Sequence, residues 1–423
     1  MMKVRLGLML ITIFPACGYA HAQLLTMSEF WQATKGHNPD YLSMKLDLPI
    51  AKLVTKNKLA PLLPSLQTSI DVDAGQLGSN NKAYGYSIQL SQTMWDQPAW
   101  TDYLMGKNNE TVSKWEFEHG TQKLAMKSLV LYLGLALAQS RQQWALDKWE
   151  QGKKLYAYSE QRYLAGMLSN TDLNEVKVNT LSEELNYKKT RRDIVLLQKQ
   201  LQMLTSLPMT KADVIPSFEH PPSLKRTREE WISQAYQYNP QLRAYQLQLE
   251  SKRLASKSAY QNYYPTLKLT SGIKSPSGDE DLDLATGLVL SINFDTTGAI
   301  DRQYQIAKLQ QRQMQLKVEG LEQELEKKVS NTVTQLQFTL NQIVVALEQS
   351  KIKASILKDK KVFYQAGHLK AEDMITAHNE WFSSRNEVIS HFYAYWLKYI
   401  ELMKTAGTLK EDEIAKISEI FHS

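Results

Sequence analysis

The residue types that usually carry chemistry are scattered along this chain. Seven of its eight histidines lie at His37, His119, His220, His368, His378, His391 and His422. None pair at three- or four-residue spacing, so no preformed zinc site is expected. Glu322, Glu324 and Glu326 precede Lys327 and Lys328. That run reads as a charged helix face rather than a pair of catalytic acids. The phosphate-binding GxxxxGKS/T, the metalloprotease HExxH and the nucleophile-elbow GxSxG are absent. The expectation is no enzyme, no cofactor and no metal. What does recur is a carboxylate. Asp172 and Asp373 each follow a tyrosine by nine residues, in Tyr163-x-x-Gly166 and Tyr364-x-x-Gly367. Clustered carboxylates attract cations and repel one another. The plain alternative is two solvated side chains on a helix surface; their matched places favour a role.

The matching extends along the chain. Asn38-Pro39 and Asn239-Pro240, Pro64-x-Leu66 and Pro265-x-Leu267, the two Tyr-x-x-Gly motifs and the two aspartates all recur at a constant offset of 201 residues. Trp95-Asp96 and Phe294-Asp295 recur at 199, so a small length change lies near the strands. An ordered set of landmarks at one spacing marks a duplicated unit. The copies are expected over 23–206 and 223–406. A proline-containing, glycine-free linker covers 207–222, and a short charged tail covers 407–423.

Each copy reads as helix, two strands, two helices. Leu66, Thr68, Ile70 and Val72 alternate with Gln67, Ser69, Asp71 and Asp73, and Tyr84, Tyr86, Ile88 and Leu90 alternate with Gly85, Ser87, Gln89 and Ser91. The second copy repeats this from Leu267 to Ile273 and from Leu284 to Phe294. Strict period two predicts strands with one apolar face. An ordinary sheet with one wet face and a membrane barrel both give that pattern. The tips 75–82 and 275–283 are polar, and Trp95, Trp100, Tyr263 and Tyr264 flank the strands. The helical stretch from Pro98 to Tyr163 would reach ~95 Å at 1.5 Å per residue. It carries charges throughout and apolar residues at three and four, as in Leu124, Leu131, Leu135 and Ala138. It is therefore an amphipathic rod that needs partners. The segment 26–59 reads as one further helix of about 34 residues. Four strands cannot close a barrel, since eight is about the smallest closed size. A barrel here requires a symmetric oligomer.

The chain has 423 residues, a net charge of +6, 43% apolar and 22% charged residues. Its mean hydropathy of −0.41 argues against a bundle of membrane helices. The mild, spread charge argues against nucleic acid. Lys3 and Arg5, the apolar run 6–14 and Ala20-His21-Ala22 form the pattern of a secretory signal peptide over residues 1–22. Cleavage before Gln23 would leave 401 residues (423 − 22) and remove the only cysteine. The mature chain would then have no disulfide and no thiolate chemistry. A competing reading makes Cys17 a lipidation site, although Phe14 and Pro15 fit such a box poorly.

With these landmarks on both copies, the chain resembles the TolC family of outer-membrane efflux and secretion channels. The resemblance implies a mixed fold, a membrane β-barrel above a long α-helical coiled-coil barrel. It implies a homotrimer in which four strands per chain make a twelve-stranded barrel, with the helices as a periplasmic tunnel. The implied function is a passive duct from periplasm to exterior, in small-molecule efflux or type I protein secretion. Its implied partners are its own copies, outer-membrane lipid, a periplasmic adaptor (membrane fusion) protein and an inner-membrane pump of the RND or ABC type. By the same resemblance Asp172 and Asp373 ring the periplasmic entrance and Tyr364 helps latch it, with Tyr163, Gly166 and Gly367 forming the helix turns. The family's arginine five residues after the latch tyrosine is here Leu369, and its second aspartate is Thr376. An apolar constriction of Met167, Leu168 and Leu369 is the expected substitute. The alternative class is a periplasmic coiled-coil adaptor or scaffold, with the strands in an ordinary sheet.

Overall fold

The computed structural model describes residues 23–73, 83–215, 218, 222–224, 226–275 and 283–422. The expected signal peptide with Cys17, most of both strand-pair tips and part of the expected linker lie outside the described residues.

Strand β1 (Gln23–Leu25) leads into helices α1 (Met27–His37) and α2 (Pro39–Leu59). Strands β2 (Ser65–Asp73) and β3 (Ala83–Trp95) follow, then the long helix α3 (Gln97–Leu164) and α4 (Asn170–Thr205). After β4 (Met209–Ala212) the same order returns as α5 (Arg228–Tyr238), α6 (Pro240–Gln261), β5 (Thr266–Ser275), β6 (Asp283–Ser291), α7 (Ala299–Gln365) and α8 (Ala371–Thr405). Helix α9 (Glu411–His422) ends the chain. Among the described residues no helix is long and apolar enough to cross a membrane.

One sequence expectation is corrected at the first helix. The stretch 26–59 is two helices, not one, and the later stretch 228–261 is likewise two. Asn38 caps α2 by accepting a hydrogen bond from the Tyr41 N–H, and Asn239 caps α6 from the Leu242 N–H. Pro39 and Pro240 then sit at the first helical position, where the missing N–H costs nothing. Thr26 and Thr227 begin α1 and α5 with full capping boxes.

The four long strands form one antiparallel sheet in the order β2-β3-β5-β6. Its register keeps chemistry on separate faces. Leu66 opposes Leu90, Ile88 opposes Ile273, Leu267 opposes Leu290 and Leu269 opposes Leu288. Ser69 opposes Ser87, Gln89 opposes Gly272 and Thr93 opposes Lys268 on the other face. Because opposed residues share a face, the alternation of each strand adds up across the whole sheet. Strands β2 and β6 are its edges. The two residues lost from the offset before Phe294-Asp295 are regained just after them. Asp96 caps α3 directly, whereas Asp295 reaches α7 across a loop closed by Gly298 at φ +68°.

The main core lies midway along the rods. Leu129, Tyr132, Leu133 and Ala136 of α3, Val329, Val333 and Leu336 of α7 and Phe392, Tyr393 and Ile400 of α8 share one cluster, in which α8 packs on both α3 and α7. Burying each such side chain is worth roughly 1.5–3 kcal/mol. The Tyr132 hydroxyl donates to the Leu25 carbonyl at 2.8 Å and accepts from the Asp213 N–H at 2.9 Å. Burial raises the Tyr132 pKa well above the usual phenol range, so it stays a neutral donor. It thereby stitches the small parallel pair of β1 and β4 to α3. Helix α9 packs Ile414, Ile417 and Phe421 onto the same core.

Candidate functional site at the hairpin tips

Helices α3 and α4 form one antiparallel hairpin and α7 and α8 form the second. Both turn through a glycine in the left-handed region, Gly166 at φ +73° and Gly367 at φ +82°. The Met167 N–H returns to the Arg162 carbonyl and the His368 N–H to the Phe363 carbonyl, closing each long helix in the same way. A side chain with a Cβ would strain either turn, which is why glycine recurs.

The tip aspartates occupy the first turns of α4 and α8. Asp172 is held locally. The Ser169 hydroxyl accepts from the Asp172 N–H at 3.0 Å and donates to its carboxylate at 2.7 Å. Asp373 follows Lys370, which gives α8 no side-chain cap, and its carboxylate is exposed. Lys360 of α7 reaches only the Asp373 backbone carbonyl, at 3.5 Å. Both carboxylates sit where a helix N-terminus favours negative charge.

Tyr163 and Tyr364 differ. Tyr163 is 40% exposed, whereas Tyr364 is 1% exposed. The Tyr364 hydroxyl shares a 2.8 Å hydrogen bond with the Ser159 hydroxyl. The Arg162 guanidinium stacks 5.2 Å from its ring centroid and donates to its backbone carbonyl at 3.0 Å. Tyr158 meets the ring edge-on and donates to the Gln365 carbonyl at 3.2 Å. Leu369 packs into the same cluster with Val176, Ala371 and Met374. Met167 is exposed and Leu168 is half-buried, and neither joins Leu369 in that cluster. A groove of about 440 Å³ runs beneath Tyr364, lined by Lys154, Tyr158, Lys361, Met374 and His378.

Sequence reasoning missed two groups. The first is Ser159 and Arg162 of α3, which bond to and stack on Tyr364. The signal was present, because Arg162 directly precedes Tyr163 in the matched turn. The second is a buried polar layer between the hairpins. Glu183 of α4 is 4% exposed and His378 of α8 is 3% exposed. His378 Nδ1 lies 3.4 Å from Glu183 Oε1, and Lys148 Nζ lies 3.9 Å from the same oxygen. Asn179 donates to Glu183 at 2.9 Å, and Asn379 donates to Asn179 at 3.0 Å. Burial lowers the Lys148 pKa and Glu183 opposes that shift. Gly152 of α3 makes room for the carboxylate, since a Cβ there would collide with Glu183 Oε2. A glycine in mid-helix was the one visible hint.

Residues 231–408 match the model of a family described as outer membrane efflux protein. Along nearly the whole chain it is 18% identical to the proteases secretion protein PrtF of Dickeya chrysanthemi, covering 98% of this chain and 95% of that one. It is 20% identical to the outer membrane protein TolC of Escherichia coli, covering 94% and 85%. In structure it resembles CusC at a TM-score of 0.81 and 16% identity, covering 90% of this chain and 92% of that one.

Proposed function

On the premise that this chain is a relative of the TolC family of outer-membrane efflux and secretion channels, we propose that it is the outer-membrane duct of a tripartite export system. Three copies join their sheets into a twelve-stranded barrel, and their helical hairpins form a tunnel in the periplasm. The duct is passive. An inner-membrane pump of the RND or ABC type supplies the energy, and a periplasmic adaptor couples the two. A family described as outer membrane efflux protein and a relative named for protease secretion both match the chain, and export of either cargo fits the reading.

The observation that carries this reading is an incomplete sheet with two distinct faces. Its directions alternate, so β6 of one copy pairs antiparallel with β2 of the next and the alternation continues around a ring. Leu66, Ile70, Tyr86, Ile88, Leu284 and Leu288 stand exposed on one face. Nine-residue strands, tilted as in a barrel, give an apolar band about 25 Å tall, the height of an outer-membrane girdle. Trp95, Trp100, Tyr260 and Phe294 are exposed at its helix side, where an aromatic belt sits.

The helices support the ring independently. Helix α6 packs against both α3 and α7. Its counterpart α2 packs its long side on α3 and leaves Leu42, Leu46, Ile50 and Leu53 exposed. An α7 from a second copy fits that flank. Helix α4 likewise exposes Val178, Leu181, Leu185 and Leu196, and α7 exposes Phe338, Val345 and Ile352 at seven-residue spacing. Apolar stripes of this length are interface, not free surface.

At the far end the six tip carboxylates of three copies converge, and the Tyr364–Arg162–Ser159 contact holds the second hairpin onto the first. The test is extraction from outer membranes, unheated gel migration and planar-bilayer recording. A heat-labile trimer with a small, cation-selective, mostly closed conductance is expected. A soluble monomer without conductance would overturn the reading.

A further inference from the structure

The polar face of the sheet carries few charges. Lys268 and Lys274 lie on β5 and Asp283 on β6, and in the β2–β3 register Asp71 stands opposite Gly85 and Asp73 opposite Ala83. They are not evenly placed. Lys274 stands directly opposite Asp283 at the loop end, and both β2 aspartates lie toward that end too. Lys268 lies six residues back toward the helices, about 20 Å along the strand. It opposes Thr93 on one side and Val289 on the other. Along its own strand the same face holds Thr266 and Thr270. Among the described residues no carboxylate shares its level. Among the described residues Lys268 is exposed and makes no ion pair.

The nearest acids toward the helices are Asp96 and Asp295. Both are already engaged. Asp96 accepts from the Ala99 N–H, and Asp295 accepts from the Ala299, Ile300 and Asp301 N–H groups. Each faces the positive end of a helix, which offsets its charge locally. The register around Lys268 does not depend on assembly, because β5 is an inner strand and both neighbours belong to its own chain.

Resting on the barrel reading above, we propose that Lys268 forms a ring of three ammonium groups at the helix-side end of the barrel lumen, a binding site for polyvalent anions. Twelve strands about 4.8 Å apart, tilted about 40°, enclose a lumen roughly 24 Å across between backbones. A lysine stem reaches about 6 Å inward from each side, leaving roughly 12 Å. The Debye length is about 8–10 Å at 0.1–0.15 M salt, so the three fields overlap across that opening. A low-dielectric wall concentrates them further. The duct is then bipolar, with carboxylates at the tunnel tip and ammonium groups at the base of the barrel.

The test uses the full-length channel in planar bilayers with inorganic tripolyphosphate as probe. Added on the loop side, tripolyphosphate blocks the current, and the block weakens as salt rises. Lys268→Gln raises the half-blocking concentration at least about tenfold. Lys268→Arg keeps the block, and Lys274→Gln, whose parent residue faces Asp283, changes it less than Lys268→Gln does. Conducting channels whose block is the same in Lys268→Gln and wild type would overturn the ring and leave the duct standing. Absence of any conductance in the wild type would overturn the duct, and the ring with it.

Discussion

The turn at Tyr163 and the turn at Tyr364 share their landmark residues, 201 positions apart. Their backbones agree, with a left-handed glycine and the same closing hydrogen bonds. Their side chains do not. The second tyrosine is buried under Tyr158 and Arg162 of the first hairpin, and the first stands in solvent. At the aspartates the contrast reverses. Asp172 is tied down by Ser169, whereas Asp373 follows the uncapped Lys370. A duplicated motif therefore specifies the turn itself, and the neighbouring hairpin decides which copy becomes a contact and which an open edge. The first turn is stable by its own local bonds, and the second depends on what lies across from it.

The sharpest way to break this comparison is to remove each tyrosine. Tyr364→Ala should cost about 3–5 kcal/mol of local stability, as for other large buried aromatics. Tyr163→Ala should cost less than about 1 kcal/mol. Protease cleavage near residues 363–370 against residues 162–169 reads the difference, and equal sensitivity would mean that both turns are covered alike. The next effect lies one layer up. Gly152→Ala forces a Cβ against Glu183 and should cost about 1–3 kcal/mol. Lys353, the residue 201 positions on, should tolerate alanine within about 0.5 kcal/mol. Thermal unfolding compares the two, and a mild Gly152→Ala would show that the buried polar layer yields.

Smaller effects probe the helix starts. Ser169→Ala removes a cap and should cost about 1 kcal/mol while freeing the Asp172 carboxylate. Cation block at the tunnel end should then strengthen; an unchanged block would mean that Asp172 does not face the conduction path. Lys370→Ser supplies the cap that α8 lacks and should gain about 0.5 kcal/mol. Amide exchange in the first turn of α8 should slow, and no slowing would mean that the turn is held by packing alone.

Much of this architecture was legible in the chain. The strands declared themselves because a sheet with one apolar and one polar face imposes period two, and Leu66 to Val72 and Leu284 to Leu290 largely follow it. The turns declared themselves because only glycine enters the left-handed region freely at Gly166 and Gly367. The helix boundary at Asn38-Pro39 is legible too, since a capping asparagine before a proline states one. The candidate site was less legible. Glu183 and His378 are nearly 200 residues apart in sequence, and each looks like an ordinary helix residue. Their pairing exists only where α4 crosses α8.

Periodicity, capping and turn chemistry act over a few residues, so the sequence alone determined the strands, the rods and the turns. Burial acts between segments distant in the chain. Only the tertiary structure could decide that Tyr364 is covered and Tyr163 open, that Arg162 of the first hairpin stacks on Tyr364 of the second, and that Lys268 stands on its level of the sheet without a carboxylate opposite. Those outcomes depend on register and on which rod lies beside which, and no local preference encodes either.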